Sequence, residues 1–323
     1  MTGRLAAPPQ PVSARAAADT PAALRRHYRL SRWDLKASPY LFVAPYFLLF
    51  ALFGLFPLGF TVWVSLHRWR LAGEKEWVGL DNYTFLLTYG PFWNSVVNTV
   101  AMFVIATVPQ LLAALLIANA LNRRMRGQLV WRLAILAPMV TSVVAVAVVF
   151  NQLYGLRYGM VNWLLGLVGL GPIDWRADSL PAWLAISSMV DWRWTGYNAM
   201  IYLAAMQFIP RDLYEAAAID GASPRRQFWS ITVPQLRPVI IFTVFVSTIG
   251  GLLLFTEPMM FDNGRFRGGS TGQFQTTTMF IVELFRDRNN YGMAAAAAWI
   301  LFALIIIAAT VNYLIVHRIR GSR

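Results

Sequence analysis

Cysteine is absent from this 323-residue chain, and lysine occurs only at positions 36 and 75. The first absence excludes disulfides, thiolate metal sites and a cysteine nucleophile. The second excludes a nucleotide-binding P-loop: Lys36 lies in LKA and Lys75 in EKE, so no lysine can hold a nucleotide phosphate in a GxxxxGK loop. If ATP drives this protein, another polypeptide hydrolyses it. Charge is scarce too, at 13% of residues against 57% hydrophobic, with a mean hydropathy of +0.50. A chain this apolar belongs in a bilayer. Its three histidines, His27, His67 and His317, lie near the ends of different apolar runs, so no metal site is expected. HExxH and paired-histidine patterns are missing, and no enzyme is expected. The net charge of +13 borders the apolar runs instead of forming one basic face, which argues against nucleic acid.

What is present is a series of apolar runs, at about Tyr40 to Leu66, Ser95 to Leu121, Leu133 to Phe150, Pro181 to Phe208, Val239 to Phe255 and Met293 to Val316. Each approaches or exceeds the ~20 residues a hydrocarbon core requires. The expected fold is an all-α integral membrane protein with six transmembrane helices. Tilting, or a kink at Pro45 or Pro57, would absorb the excess length of the first. Residues 1–38 read as a disordered basic cytoplasmic tail, 39–317 as the membrane domain and 318–323 as a C-terminal tail. The first run is too long for a signal peptide, so no processing is expected. Arg25, Arg26, Arg29, Arg32 and Lys36 are a topology signal or, alternatively, a lipid contact. Placing both termini in the cytoplasm puts Lys and Arg there over the outside by roughly two to one.

Between the fourth and fifth runs lies a mostly polar hairpin, YEAAAIDGASPRRQFWSITVPQLRP, from Tyr214 to Pro238. Leu213, Ala216, Ala217 and Asp220 share one helical face, and Asp212 with Glu215 makes a capping-box-like start. Gly221 suits a left-handed helix end, and Ser223 caps a second helix with Pro224 at its first position. The spacing predicts two short helices meeting at a glycine corner. An ordinary loop would tolerate almost any polar sequence, whereas small alanines on a surface helix suit close docking.

Glu215, Ala216, Ala217, Asp220, Gly221 and Ala222, followed by Phe228, Ile231, Pro234 and Pro238, resemble the EAA loop of permease subunits of bacterial ATP-binding-cassette (ABC) importers. WVGLDNY at Trp77 to Tyr83 is similar to the first external loop of carbohydrate-type permeases. GMVNWLLGLVG within Gly155 to Gly171 looks like the family's short amphipathic element, although an interfacial helix at the membrane surface fits equally well. In the expected outer loop from Glu257 to Gly292, Gly268 and Gly269 are followed by Ser270 where the family usually has proline. The resemblance covers about Tyr40 to Val316. It implies a type I importer fold in the bacterial cytoplasmic (inner) membrane, with residues 211–238 as the loop that couples to the ATPases. It further implies a permease for a sugar or oligosaccharide, paired with a second related permease, two ATPase subunits and an extracytoplasmic solute-binding protein. No cofactor is implied for this chain; ATP and Mg belong to the ATPases.

Sugars present C–H faces that stack on aromatic rings and hydroxyls that need amide or charged partners. The substrate-contact candidates are therefore Asp191, Trp192, Arg193, Trp194, Tyr197 and Asn198 in DWRWTGYN, with Asn151, Tyr154 and Glu257 behind them. Asp191 and Arg193, two apart, do not face one another on a helix. Alternatively, Trp192 and Trp194 belong to an interfacial aromatic belt and the charges pair with other helices. FTEP with a Gly-rich, Gln-containing loop leans towards permeases for cellobiose-type oligosaccharides. The competing reading is a secondary transporter or channel needing no ATPase, which would call for ionisable residues in several spans or an internal inverted repeat.

Overall fold

The computed structural model describes residues 38–71, 73, 75–123 and 125–320, with side chains as far as Leu314. The expected N-terminal tail, apart from Ser38, lies outside the described residues, as do Gly321 to Arg323. The chain divides into two compact units, Met1–Thr61 and Val62–Arg323.

Helix α1, Ser38–Ser65, supplies the described part of the first unit up to Thr61. Its irregularity is a π turn over Ala51–Leu55, where the Phe56 N–H reaches back to the Ala51 carbonyl. Pro57 explains the position: it has no N–H for the Phe53 carbonyl and its ring would crowd that oxygen, so the helix widens just before it. Apolar side chains such as Phe42 and Phe53 are exposed around the helix, as suits a lipid-facing span.

The second unit opens with a two-stranded ribbon, β1 (His67–Arg68) against β2 (Glu76–Trp77), leading into α2 (Asp81–Thr88). Asn82, within WVGLDNY, ties them together: its Nδ2 donates to the carbonyls of Ser65 at 2.8 Å and His67 at 3.0 Å. The long helix α3 (Gly90–Leu121) is next. The third expected span is broken. Helices α4 (Gln128–Val140) and α5 (Val143–Leu153) meet at 91°. The Thr141 N–H and Oγ1 both donate to the Ala137 carbonyl, and Thr141 and Ser142 have extended ψ values, so the helix ends and restarts there. Residues Met160–Leu167 form the short helix α6.

Helix α7 (Ser179–Met206) packs along α3, with Ala114, Ala118, Ala199, Tyr202 and Leu203 buried between them. Small residues let the backbones approach, which stands in for the hydrophobic drive that lipid cannot provide. After α8 (Arg211–Ile219) and α9 (Pro224–Gln235), helix α10 (Arg237–Leu252) leaves at 68° to α9. Among the described residues, three helices, α1, α3 and α13 (Tyr291–Arg320), are each long and apolar enough to cross a membrane, and the bent pairs α4–α5 and α9–α10 qualify jointly. The polar side chains of α7 keep it outside this set despite its length.

The stretch from Glu257 to Gly292, expected as a loop, contains α11 (Thr256–Phe261) and α12 (Thr277–Arg286). Leu86, Phe92 and Phe280 pack with Ala294, Ala296 and Ala297, whose small side chains let the elements approach closely. Around the turns, Gln275 Nε2 donates to Glu283 at 2.6 Å, and Asp262 Oδ2 accepts from the Gly268 N–H at 2.9 Å. Gly268 and Gly269 both have positive φ, and at Gly268 an added Cβ would strike the backbone of Gln275. Burial raises the Asp262 carboxyl above its ordinary value, against the lowering effect of the Gly268 and Gly269 N–H groups. A raised folded value means that stability from this group is present in acid and lost as pH rises through it. Asp262→Asn is therefore expected to stabilise the permease at pH 8 relative to the parent, with the difference shrinking towards pH 4; thermal unfolding in detergent at the two pH values checks this. A constant difference would show that Asp262 does not titrate on unfolding.

Candidate coupling hairpin and translocation cavity

Local chemistry shapes the hairpin. Helix α8 ends with Asp220 as its C-cap, and Gly221 follows at φ +75°. The Gly221 N–H donates to the Ala218 carbonyl at 3.0 Å and the Ala222 N–H to Ala217 at 2.8 Å, the paired bonds of a Schellman motif. Ser223 Oγ then accepts from the Arg226 N–H at 3.4 Å, with Pro224 at the first helical position. Tyr214 Oη and Thr232 Oγ1, 2.8 Å apart, pin the two arms together, and Phe228 anchors the hairpin in the core formed with Leu236 and Met206. The capping-box expectation is corrected. Pro210 is the N-cap and makes no side-chain bond, which places Asp212 inside the first turn, where its charge meets the positive helix end.

Glu215, Ala216, Asp220 and Gly221 are exposed, while Ala217 and Ala222 are half-buried. Ile219 and Trp229 are exposed beside them, Ile219 at 87%. The hairpin thus combines carboxylates with uncovered apolar side chains on an internally braced frame, the composition of a surface that docks a partner.

The cavity arises where α3, α7, α10 and the start of α11 meet. Its volume is about 320 Å³. Val190, Arg193, Trp194, Tyr197 and Asn198 line it, so a single face of α7 at helical spacing supplies five wall residues. Arg193 Nη1 donates to Glu257 Oε1 at 2.6 Å, with side-chain exposures of 15% and 8%. The pairing across helices left open by the sequence is this contact, which joins α7 to α11. Five of the nine substrate-contact candidates therefore share one cavity: Arg193, Trp194, Tyr197, Asn198 and Glu257.

The other four stand elsewhere. Trp192, on another face of α7, meets Phe150 at 5.9 Å between ring centroids. Asp191 is half-buried and outside the cavity wall. Asn151 bridges two segments, donating to the Met260 carbonyl and accepting from Arg176 Nη2, each at 3.1 Å. Tyr154 Oη lies 2.7 Å from Ser188 Oγ, and its ring abuts Trp175. Gln110, Thr107, Ser247 and Thr256, which were not among the candidates, also stand in the wall. Gln110 carried a usable signal as an amide midway along an apolar run.

Residues 110–321 match the family model described as "Binding-protein-dependent transport system inner membrane component". The chain is 33% identical over 282 residues to the trehalose/maltose transport system permease protein MalF of Thermococcus litoralis, covering 87% of this chain and 94% of that one. It is 34% identical over 293 residues to the lactose transport system permease protein LacF of Rhizobium radiobacter, covering 90% and 95% respectively. Its fold resembles a chain in the crystal structure of a bacterial ABC transporter that imports the acidic polysaccharide alginate, with TM-score 0.72 and 20% identity across 90% of this chain and 99% of that one. With a glycine-cornered hairpin, a helix-walled cavity and relatives matched over nearly their whole length, this chain belongs to the family of inner-membrane permease components of binding-protein-dependent transport systems.

Proposed function

We propose that this chain forms half of the translocation pathway of an ABC importer for a neutral sugar or short oligosaccharide. The observation that carries the reading is the cavity, where Trp194 and Tyr197 offer ring faces beside Gln110, Asn198 and the Arg193–Glu257 pair. Such a wall suits a ligand with C–H faces and many hydroxyls. The trehalose/maltose and lactose permease relatives support a saccharide cargo. In this reading α7 is the sixth span, crossing the membrane with its polar face turned to the pathway, and both termini lie in the cytoplasm. The protein resides in the bacterial inner membrane with a second related permease. An extracytoplasmic solute-binding protein delivers the sugar, and two ATPase subunits, which bind ATP and Mg, dock on residues 211–238.

Alternating access then requires the ATPases to move the helix bundle. Reversing a two-state population from 1:99 to 99:1 takes roughly 5.5 kcal/mol, delivered through the hairpin. The reading is tested by reconstituting the whole complex in proteoliposomes and following radiolabelled maltose, lactose and cellobiose. Uptake that needs both ATP and the solute-binding protein supports it. Uptake by this chain without ATPases would replace it with a secondary transporter.

A further inference from the structure

Among the described residues, Arg193 and Glu257 are the only charged ones in the cavity wall, and they bind each other. The site is therefore electrically neutral although it contains a guanidinium. Arg193 has donors in reserve: one nitrogen serves Glu257, while Nε is buried without a hydrogen-bond partner among the described residues. A guanidinium offers five N–H donors and a carboxylate only acceptors, so the pair presents both kinds of hydrogen-bonding group at one place. A sugar hydroxyl donates and accepts, and meets such a pair without importing charge.

An acidic sugar meets it differently. Its carboxylate must be stripped of water in a largely apolar chamber, and the cation that would compensate it is already engaged. Glu257 adds like-charge repulsion at close range, a device that selects by penalising the wrong ligand. The fold itself does not decide this, since a similar fold serves an importer of an acidic polysaccharide.

We infer that Glu257 is a specificity-determining residue: by engaging Arg193 it tunes the cavity to uncharged polyhydroxylated sugars and turns away sugars bearing a carboxylate or phosphate. The inference rests on the cavity being the sugar site, as proposed above. Glu257 occupies the first turn of α11, directly after the chain leaves α10, so its placement depends on that turn and not on the helix faces of the main bundle.

The chain's lack of cysteine provides a direct probe. Ser247→Cys places one thiol in the cavity wall of the assembled complex in nanodiscs, and mass spectrometry of that peptide reads its alkylation rate. Maltose, lactose and cellobiose serve as neutral ligands and dimannuronate as the acidic one. In the Ser247→Cys parent, at least one neutral disaccharide is expected to slow alkylation, and dimannuronate is not. Glu257→Gln should improve protection by dimannuronate relative to the neutral sugar roughly tenfold, and Arg193→Gln should weaken it by a similar factor. A merely structural pair would shift both ligands together in both variants, and that result overturns the inference while leaving the cavity as the sugar site. If either variant fails to assemble, the other alone carries the test, because each has its own expected sign. Absence of protection by any neutral sugar in the parent would overturn both the site assignment and the inference.

Discussion

Gly221→Asp and Glu215→Ala each abolish most ATP-driven uptake while leaving the permease inserted and folded. That is the expected result, and its two halves have separate causes. Folding survives because the positions are exposed, and a Cβ on Gly221 would meet nothing within 4 Å. Alanine is a better helix former than glutamate, so Glu215→Ala does not weaken α8. The αL conformation of residue 221 costs a non-glycine residue about 1–2 kcal/mol, with aspartate among the more tolerant. In the proposed coupling role, a charge-assisted hydrogen bond to the ATPase is worth about 1.5–3 kcal/mol, and losing one from a lever that must deliver roughly 5.5 kcal/mol lowers the outward-to-inward ratio about ten- to 150-fold. Gly221→Asp places a second carboxylate beside Asp220 on a surface that must shed water to dock. Gly221→Asn, similar in shape and equally at ease in αL, should retain more uptake and so separate charge from backbone strain. The measurements are uptake and sugar-stimulated ATP hydrolysis in proteoliposomes, with inserted protein quantified alongside. Normal transport by both variants would remove the hairpin from the coupling path.

The second large effect concerns stability. Gly196 lies where α7 crosses α4, and an added Cβ would land on the Ile135 carbonyl oxygen. A backbone carbonyl cannot swing aside as a side chain can, so Gly196→Ala must push α4 away from α7. Overpacking typically costs about 1–3 kcal/mol, and a backbone obstacle places this case at or above the top of that range. Gly250→Ala is the matched control: its Cβ meets nothing within 4 Å in a regular part of α10, and the change should be neutral or stabilising by up to about 1 kcal/mol. Thermal unfolding in detergent should therefore show a lowered midpoint for Gly196→Ala and none for Gly250→Ala. Equal midpoints would mean that α4 does not pass over residue 196.

Gly221, Ser223 and Pro224 act within a few residues of themselves, through a left-handed φ, a hydroxyl cap and a missing N–H, so the hairpin could be drawn from local chemistry alone. The alanine run at 294–298 likewise behaves as small residues do where helices meet. The capping-box expectation at Asp212 failed because Pro210, one residue before the helix, took the N-cap position, and the i, i+3 pattern alone could not locate the true start. The third span looked continuous because hydropathy does not register a helix that ends at Val140 and restarts at Val143.

The sequence by itself determined the membrane class, the lack of a P-loop lysine, the approximate positions of the apolar helices and the glycine corner, since composition and short-range backbone preferences suffice for each. Tertiary structure alone decided which face of α7 lines the cavity, and it brought Arg193 to Glu257 across 64 residues of chain. It also directed Asn151 and Tyr154 into packing contacts away from that wall. The reason is physical: helical periodicity orders residues around one axis, while a cavity and a buried ion pair depend on the angle and register between axes.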